Sequence, residues 1–120
     1  MNYAGLSGNF DPIHLNKDRM QDSEFGGRLV YGQLILVIME GLRIGTGMIE
    51  DSVISSYGLD DVRFIEPVLI GDTIYNEMTV ADLERRSEDS GIVVMEEKAI
   101  NQDGETVVVA KTRTLIEDVA

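Results

Sequence analysis

The chain has 120 residues, 43% of them hydrophobic and 27% charged, so it is long enough for one domain with a core and is not disordered. Its net charge of −12 disfavours nucleic acids and acidic lipid surfaces, which carry charge of the same sign. It has no cysteine, which excludes disulfides and thiolate chemistry, and its longest apolar run, from Leu34 to Met39, is too short to span a bilayer.

Residues 1–28 are rich in turn-forming residues, and residues 3–6 have the spacing of a short helix. Pro12 disfavours helical geometry at Asp11, so an irregular loop is predicted from about Gly8 onward. The N-terminus lacks the basic and apolar regions of a signal peptide, so we expect the protein in the cytoplasm.

Residues 29–46 form a long apolar stretch that ends near Gly45 and Gly47. Its length favours a helix over a strand. Because the apolar run covers the full circumference, this helix is predicted to be buried on nearly all sides. A sheet wrapped around one central helix would satisfy that requirement.

Strand patterns fill the rest of the chain, in residues 52–56, 62–65, 73–83, 92–100 and 105–116. The last two are joined by the turn sequence NQDG, which predicts a hairpin with Gly104 where positive φ is wanted. One helix followed by about four antiparallel strands predicts an α+β fold. With no linker or repeat, residues 1–120 are predicted to form a single domain.

The segment SGNFDPIH carries the candidate chemistry, because it places Ser7, Asn9, Asp11 and the only histidine, His14, within eight residues. Histidine titrates near neutral pH and can both take and give a proton, while an amide or carboxylate can orient a water. Chemistry that adds or removes water needs such a set. The alternative is a polar loop in which Asn9 and Asp11 form Asx turns and His14 is a buried, hydrogen-bonded histidine.

This segment resembles the hydratase motif of the MaoC-like, or (R)-specific enoyl-CoA hydratase, family, which reads Ser-Gly-Asp-x-Asn-Pro-x-His. Residues 25–32 resemble the segment that opens the family's central helix. Residues 62–68 and 71–74 resemble its mid-sheet strand and turn, and residues 101–104 stand at its last hairpin. The resemblance covers nearly the whole chain.

The resemblance implies a hot-dog fold, in which an antiparallel sheet wraps around one central buried helix. It implies a homodimer or higher homo-oligomer that binds an acyl-CoA thioester at the subunit interface and adds water to, or removes it from, a trans-2-enoyl or 3-hydroxyacyl thioester without metal or cofactor. His14 matches the family's water-activating histidine. Gly32 matches the position whose backbone N–H polarises the thioester carbonyl, and Ser7 and Tyr31 are further candidates for substrate contacts.

Two departures from the family pattern stand out. The family's catalytic Asp is replaced by Asn9, whose amide cannot accept a proton, and the family's Asn is replaced by Asp11. Asp11 would supply the missing carboxylate if its side chain points into the same pocket. Family members also carry another strand before the motif, and its apparent absence here predicts an exposed sheet edge.

Several assignments stay open on the sequence alone. Tyr31 is either a substrate contact or a packing residue at the start of the helix. Coenzyme A phosphates would need a basic patch, for which the candidates are Arg28, Arg43, Arg63, Arg85 and Arg86. The alternatives to a hydratase are a thioesterase that uses Glu40 of the central helix and a non-catalytic subunit that binds acyl thioesters.

Overall fold

The computed structural model describes residues 2–47 and 52–117 of the chain. Within them the helices are α1 (Asn2–Ser7), α2 (Pro12–Leu15), α3 (Lys17–Gln21) and α4 (Gly32–Ile44), and the strands are β1 (Val53–Phe64), β2 (Tyr75–Arg85), β3 (Ser90–Ile100) and β4 (Thr106–Glu117). The strands form one antiparallel sheet in the order β1-β4-β3-β2, so β1 and β2 are its edges. This confirms the predicted α+β layout. No helix in the described ranges is long and apolar enough to cross a membrane.

The N-terminal region holds more helix than predicted. The short helix around residues 3–6 is present as α1, but α2 and α3 interrupt the segment that was predicted to be an irregular loop. Asp11 keeps the extended backbone expected before a proline, with φ −59° and ψ 131°. Its carboxylate accepts a hydrogen bond from the Ile13 N–H at 3.1 Å, and Pro12 occupies the first helical position, where its missing N–H is not needed.

Helix α4 is buried along one stripe only. Ile35, Met39 and Arg43, spaced four residues apart, are its buried residues and face the core. The prediction that the helix is buried on nearly all sides is wrong for a single chain, since Val37 is 55% exposed and Ile38 and Leu42 are also exposed. The sheet covers one side of the helix, where the core consists of Ile35, Met39, Val68, Ala99, Val107 and Val108.

Strand β1 joins two stretches that the sequence pattern separates. Its pairing with β4 shifts register three times, and the last shift, between Asp60 and Arg63, contains Asp61 with a positive φ of 53°. These irregularities break the alternation of side chains, which is why the pattern shows two short strands. The strand is also an edge strand, so residues 62–68 do not lie in mid-sheet as the resemblance implies.

The hairpin between β3 and β4 is confirmed. Gly104 has a φ of +79°, which a residue with a side chain rarely adopts. The Asn101 side-chain oxygen accepts hydrogen bonds from the Asp103 and Glu105 N–H groups at 3.0 Å each. These bonds close the turn and fix the register of the two central strands.

Arg113 of β4 ties the two edges of the sheet together. Its guanidinium donates to Asp60 of β1 at 2.6 Å and to Glu84 of β2 at 3.0 Å. These hydrogen bonds, with Asp60 as the larger cause, raise the pKa of Arg113 above its usual value. A raised pKa stabilises the fold below the ordinary titration range of arginine, so this contact adds no pH dependence near neutrality.

The segment that leads into α4 is anchored to the segment that follows β1. The Val30 N–H donates to the Val68 carbonyl at 2.7 Å, and the Ile70 N–H donates to the Arg28 carbonyl at 3.1 Å. Asp72 closes the next turn by accepting from the Leu69 N–H at 2.9 Å. The start of α4 therefore has a fixed place relative to the sheet.

Candidate active site

His14 is held by the segment that precedes α4. Its Nδ1 lies 2.8 Å from the Leu29 carbonyl oxygen, and the Leu29 N–H donates to the Ile13 carbonyl at 2.9 Å. A carbonyl only accepts, so Nδ1 carries a hydrogen, and in the neutral imidazole the lone pair is then on Nε2. Nε2 makes no hydrogen bond with the residues that the structure describes. The half-buried imidazole can therefore act as a base through Nε2.

Tyr31 packs directly on His14. The two rings are stacked, with centroids 3.9 Å apart and planes 24° apart. The Tyr31 hydroxyl donates to the Asn9 carbonyl at 2.7 Å, and Tyr3 packs edge-on against the Tyr31 ring. Tyr31 is 7% exposed, which supports the packing alternative over a substrate contact.

The side chains of Ser7, Asn9 and Asp11 all accept hydrogen bonds from backbone N–H groups two residues further along the chain. Asn9 Oδ1, for example, lies 3.1 Å from the Asp11 nitrogen. All three side chains are exposed. For Asn9 and Asp11 these are the Asx turns of the polar-loop alternative. Only the side-chain oxygen of Asn9 is used in its turn, and its NH₂ group has no partner in the described ranges.

Gly32 begins α4, directly after Tyr31, and Phe64 fills the space where a side chain would stand. A Cβ on residue 32 would lie 2.9 Å from Cε1 of the Phe64 ring, so a larger residue here would have to displace that ring. The first N–H groups of a helix have no partner within it, and the N-terminus carries partial positive charge. The structure thus brings His14, the Asn9 carbonyl and the start of α4 together around Tyr31.

A cavity of about 220 Å³ lies beside His14 and Tyr31 and includes Arg28 in its lining. The other candidate arginines lie elsewhere. Arg43 is buried and pairs with Glu97 at 2.8 Å, so its prediction as part of a phosphate-binding patch is wrong. Arg63 donates to the Val62 carbonyl, Arg85 donates to the carbonyls of Ser87 and Glu88, and Arg86 lies over the Tyr57 ring.

Sequence reasoning missed a buried polar network at the other end of α4. Glu97 is 1% exposed and accepts from Arg43 at 2.8 Å, Asn76 at 2.9 Å and Thr112 at 2.5 Å. The burial of Glu97 could have been predicted, because strand alternation places it on the same face as Met95 and Ala99, which are buried.

Glu40 lines a groove of about 260 Å³ together with Arg43, away from the His14 cavity.

Comparison with known proteins gives a consistent result. A family model described as "MaoC like domain" matches residues 1–114. Protein MaoC of Klebsiella aerogenes is 39% identical over 79 residues, which are 66% of this chain and 23% of that protein. The (R)-specific enoyl-CoA hydratase of Rhodospirillum rubrum is 33% identical over 81 residues, which are 68% of this chain and 54% of the hydratase. The chain thus spans about a quarter and about half of these two relatives.

Two solved structures superpose over almost the whole chain. A monoamine oxidase regulatory protein from Archaeoglobus fulgidus is 32% identical with a TM-score of 0.87, and the match covers 99% of this chain and 80% of that chain. A Mycobacterium tuberculosis protein described as a double hot-dog fold is 20% identical with a TM-score of 0.76, covering 96% of this chain and 36% of that chain.

Proposed function

The chain belongs to the MaoC-like domain family and has the hot-dog fold, and from this premise we propose that it adds water to trans-2-enoyl-CoA thioesters or catalyses the reverse dehydration. The observation that carries the proposal is His14, whose Nδ1 is fixed on the Leu29 carbonyl and whose ring stacks on Tyr31, the N-cap residue of α4. The name of the Rhodospirillum rubrum relative, an (R)-specific enoyl-CoA hydratase, supports this class of reaction.

In the proposed reaction, the substrate water donates a hydrogen bond to His14 Nε2 and accepts one from the Asn9 NH₂ group. Nε2 takes the proton as the water oxygen bonds to C3 of the enoyl thioester. The electron pair moves to the thioester oxygen, where the Gly32 N–H at the positive end of α4 stabilises the charge. The enolate then collapses and C2 takes a proton back from the imidazolium, which restores neutral His14.

This chain has Asn9 where the family motif has Asp, and an amide can orient water but cannot take its proton. In this scheme His14 therefore carries out both proton transfers, from the water and then to C2. We propose that Asp11 orients the water without taking its proton, and that its carboxylate also caps α2 by accepting from the Ile13 N–H. Ser7 and Tyr31 belong to the proposed site as residues that hold the loop, through the bonds to Asn9 that both make.

We propose a homodimer as the functional unit. Exposed apolar side chains on both α4 and β1 support this, since a single chain leaves them in contact with water. They include Val37, Ile38 and Leu42 on the helix and Ile54, Tyr57 and Leu59 on the strand. A second copy that covers them would remove this apolar area from water.

A non-catalytic subunit that binds acyl thioesters is the second candidate. It is favoured by one observation, the local hydrogen bonds that occupy Ser7, Asn9 and Asp11. A thioesterase has weaker support, because Glu40 lines a different cavity from His14.

The decisive experiment follows the absorbance of the enoyl-thioester band when purified protein is mixed with crotonyl-CoA. We expect loss of the band in the wild type, and a fall in kcat/KM of about 10²–10⁴-fold in His14→Ala, the usual contribution of a general acid–base group. Tyr75→Phe, at an exposed position on β2, is the matched control. No reaction with crotonyl-CoA or with longer and branched enoyl thioesters would favour the binding subunit. Release of free coenzyme A that Glu40→Gln abolishes would indicate a thioesterase.

A further inference from the structure

Three aromatic rings pack one against the next near the start of α4, with Tyr31 in the middle. Tyr3 of α1 packs edge-on against Tyr31, with ring centroids 4.7 Å apart and planes at 67°. Tyr31 in turn lies flat on His14 at 3.9 Å. Pairs of aromatic rings at these distances attract each other beyond the apolar area that they bury. The Tyr31 ring, held between Tyr3 and His14, therefore limits how the imidazole can tilt.

The hydroxyl of the same Tyr31 side chain reaches the other half of the site. It donates to the Asn9 carbonyl at 2.7 Å, 22 positions earlier in the chain. This bond orients the peptide that leads away from Asn9. Among the residues that the structure describes, the Asn9 side chain bonds only to the Asp11 N–H, two residues further along. Without the hydroxyl, residues 8–10 would be held in place by bonds within the loop and by the Gly8 N–H, which donates to the Ala4 carbonyl.

The backbone of Tyr31 supplies a third link. Tyr31 is the N-cap of α4, and its carbonyl accepts the first helical hydrogen bond, from the Ile35 N–H at 3.2 Å. Gly32 follows at once, so any shift of Tyr31 moves the N–H groups at the start of the helix. One residue thus touches the histidine, the loop and the helix terminus.

We propose that Tyr31 is a positioning residue that holds the His14 imidazole, the Asn9 loop and the α4 N-terminus in mutual register, and so keeps Nε2 as the reactive nitrogen. The predicted effect of Tyr31 on kcat rests on the proposed hydratase function. The ring acts on the histidine by stacking, and the hydroxyl acts on the loop by its bond to Asn9. The two contributions can be separated, because Tyr31→Phe removes only the hydroxyl whereas Tyr31→Leu removes both.

The test uses the fact that His14 is the only histidine, so nitrogen NMR of the full-length protein reports one imidazole. In the neutral imidazole of the wild type we expect the hydrogen on Nδ1 and the lone pair on Nε2. Tyr31→Phe should keep that tautomer, move the amide resonances of residues 9–11, and lower kcat about tenfold, the rate equivalent of one hydrogen bond, with little change in KM. Tyr31→Leu should average the two nitrogen signals and lower kcat further. Tyr75→Phe should change none of these.

The proposal is overturned if Tyr31→Leu keeps the wild-type nitrogen signals, or if Tyr31→Phe leaves the loop resonances and kcat unchanged. A loss of thermal stability in Tyr31→Phe with an unaltered loop and unaltered kcat would likewise reduce Tyr31 to a structural residue. If Tyr31→Leu does not fold, the loop resonances of Tyr31→Phe decide the matter alone. A wild type that hydrates no enoyl thioester, but whose variants show the NMR changes, contradicts the proposed function while supporting the positioning role.

Discussion

The two ends of α4 use polar side chains in opposite ways. Near its start, Ser7, Asn9 and Asp11 are exposed, and their side chains bond to backbone two residues away. In its last turn, Arg43 bonds to Glu97, which lies 54 residues further along the chain and is fully buried. Contacts between near neighbours can form in a short peptide, whereas the contacts of Glu97 exist only when helix and sheet are assembled.

The buried network around Glu97 stabilises the fold, whereas the exposed side chains near the start of α4 are free to contact a ligand. Water competes with every hydrogen bond of the exposed loop, so each contributes little to stability and can be given up when a substrate binds. The carboxylate of Glu97 has no access to water and depends on its three protein donors. Substitutions should therefore change stability at one end of the helix and chemistry at the other.

The largest effect on stability is expected from Glu97→Ala. It leaves the buried Arg43 without its counter-ion, and the free energy of unfolding should fall by about 3–5 kcal/mol, measured by urea denaturation. Glu96→Ala, at the exposed neighbouring position on the opposite face, should change it by less than about 0.5 kcal/mol. The double variant Arg43→Met, Glu97→Met should recover most of the loss, because no unpaired charge remains. Equal losses of unfolding free energy in Glu97→Ala and Glu96→Ala would contradict the structural role of the buried network.

A smaller loss is expected from Thr112→Val, which removes one donor to the Glu97 carboxylate and keeps the shape of the side chain. A hydrogen bond to a charged group contributes about 1.5–3 kcal/mol, and the free energy of unfolding should fall by that amount. Thr114→Val is a closely matched control, since Thr114 has similar burial on the same face of β4 but makes no hydrogen bond through its hydroxyl with the described residues. Thermal and urea unfolding of both variants test this prediction. A larger loss of unfolding free energy in Thr114→Val than in Thr112→Val would contradict it.

The smallest effect on stability, with the largest expected gain in activity, belongs to Asn9→Asp. The new carboxylate can still accept from the Asp11 N–H, so the free energy of unfolding should stay within about 0.5 kcal/mol of the wild type. In the proposed site the new carboxylate would be a second proton acceptor for the water, and it should raise kcat/KM for crotonyl-CoA by about 10²-fold or more. Asp11→Asn is the companion variant, because it preserves the cap of α2 while it removes the native carboxylate. An unchanged rate in Asn9→Asp would mean that a carboxylate at this position is not needed.

Local patterns predicted α4, the three strands from Tyr75 onward and the Gly104 hairpin, because periodicity and turn residues act over a few positions. They misjudged β1, where register shifts interrupt the alternation, and the burial of α4, which depends on how far the sheet extends around it. Ser7, Asn9, Asp11 and His14 could be selected from the sequence as a motif. Their partners could not, since the bonds of His14 to Leu29 and of Tyr31 to Asn9 join distant backbone carbonyls that leave no trace in residue type.

Leu29 bonds to two consecutive residues of α2, through its N–H to the Ile13 carbonyl and through its carbonyl to the His14 ring. The first bond joins backbone to backbone, so movement of α2 away from Leu29 breaks it and carries His14 away from the Leu29 carbonyl at the same time. Such movement is a local unfolding event that breaks both bonds together. The region would open and close as one unit, and the histidine would lose its defined tautomer each time it opened.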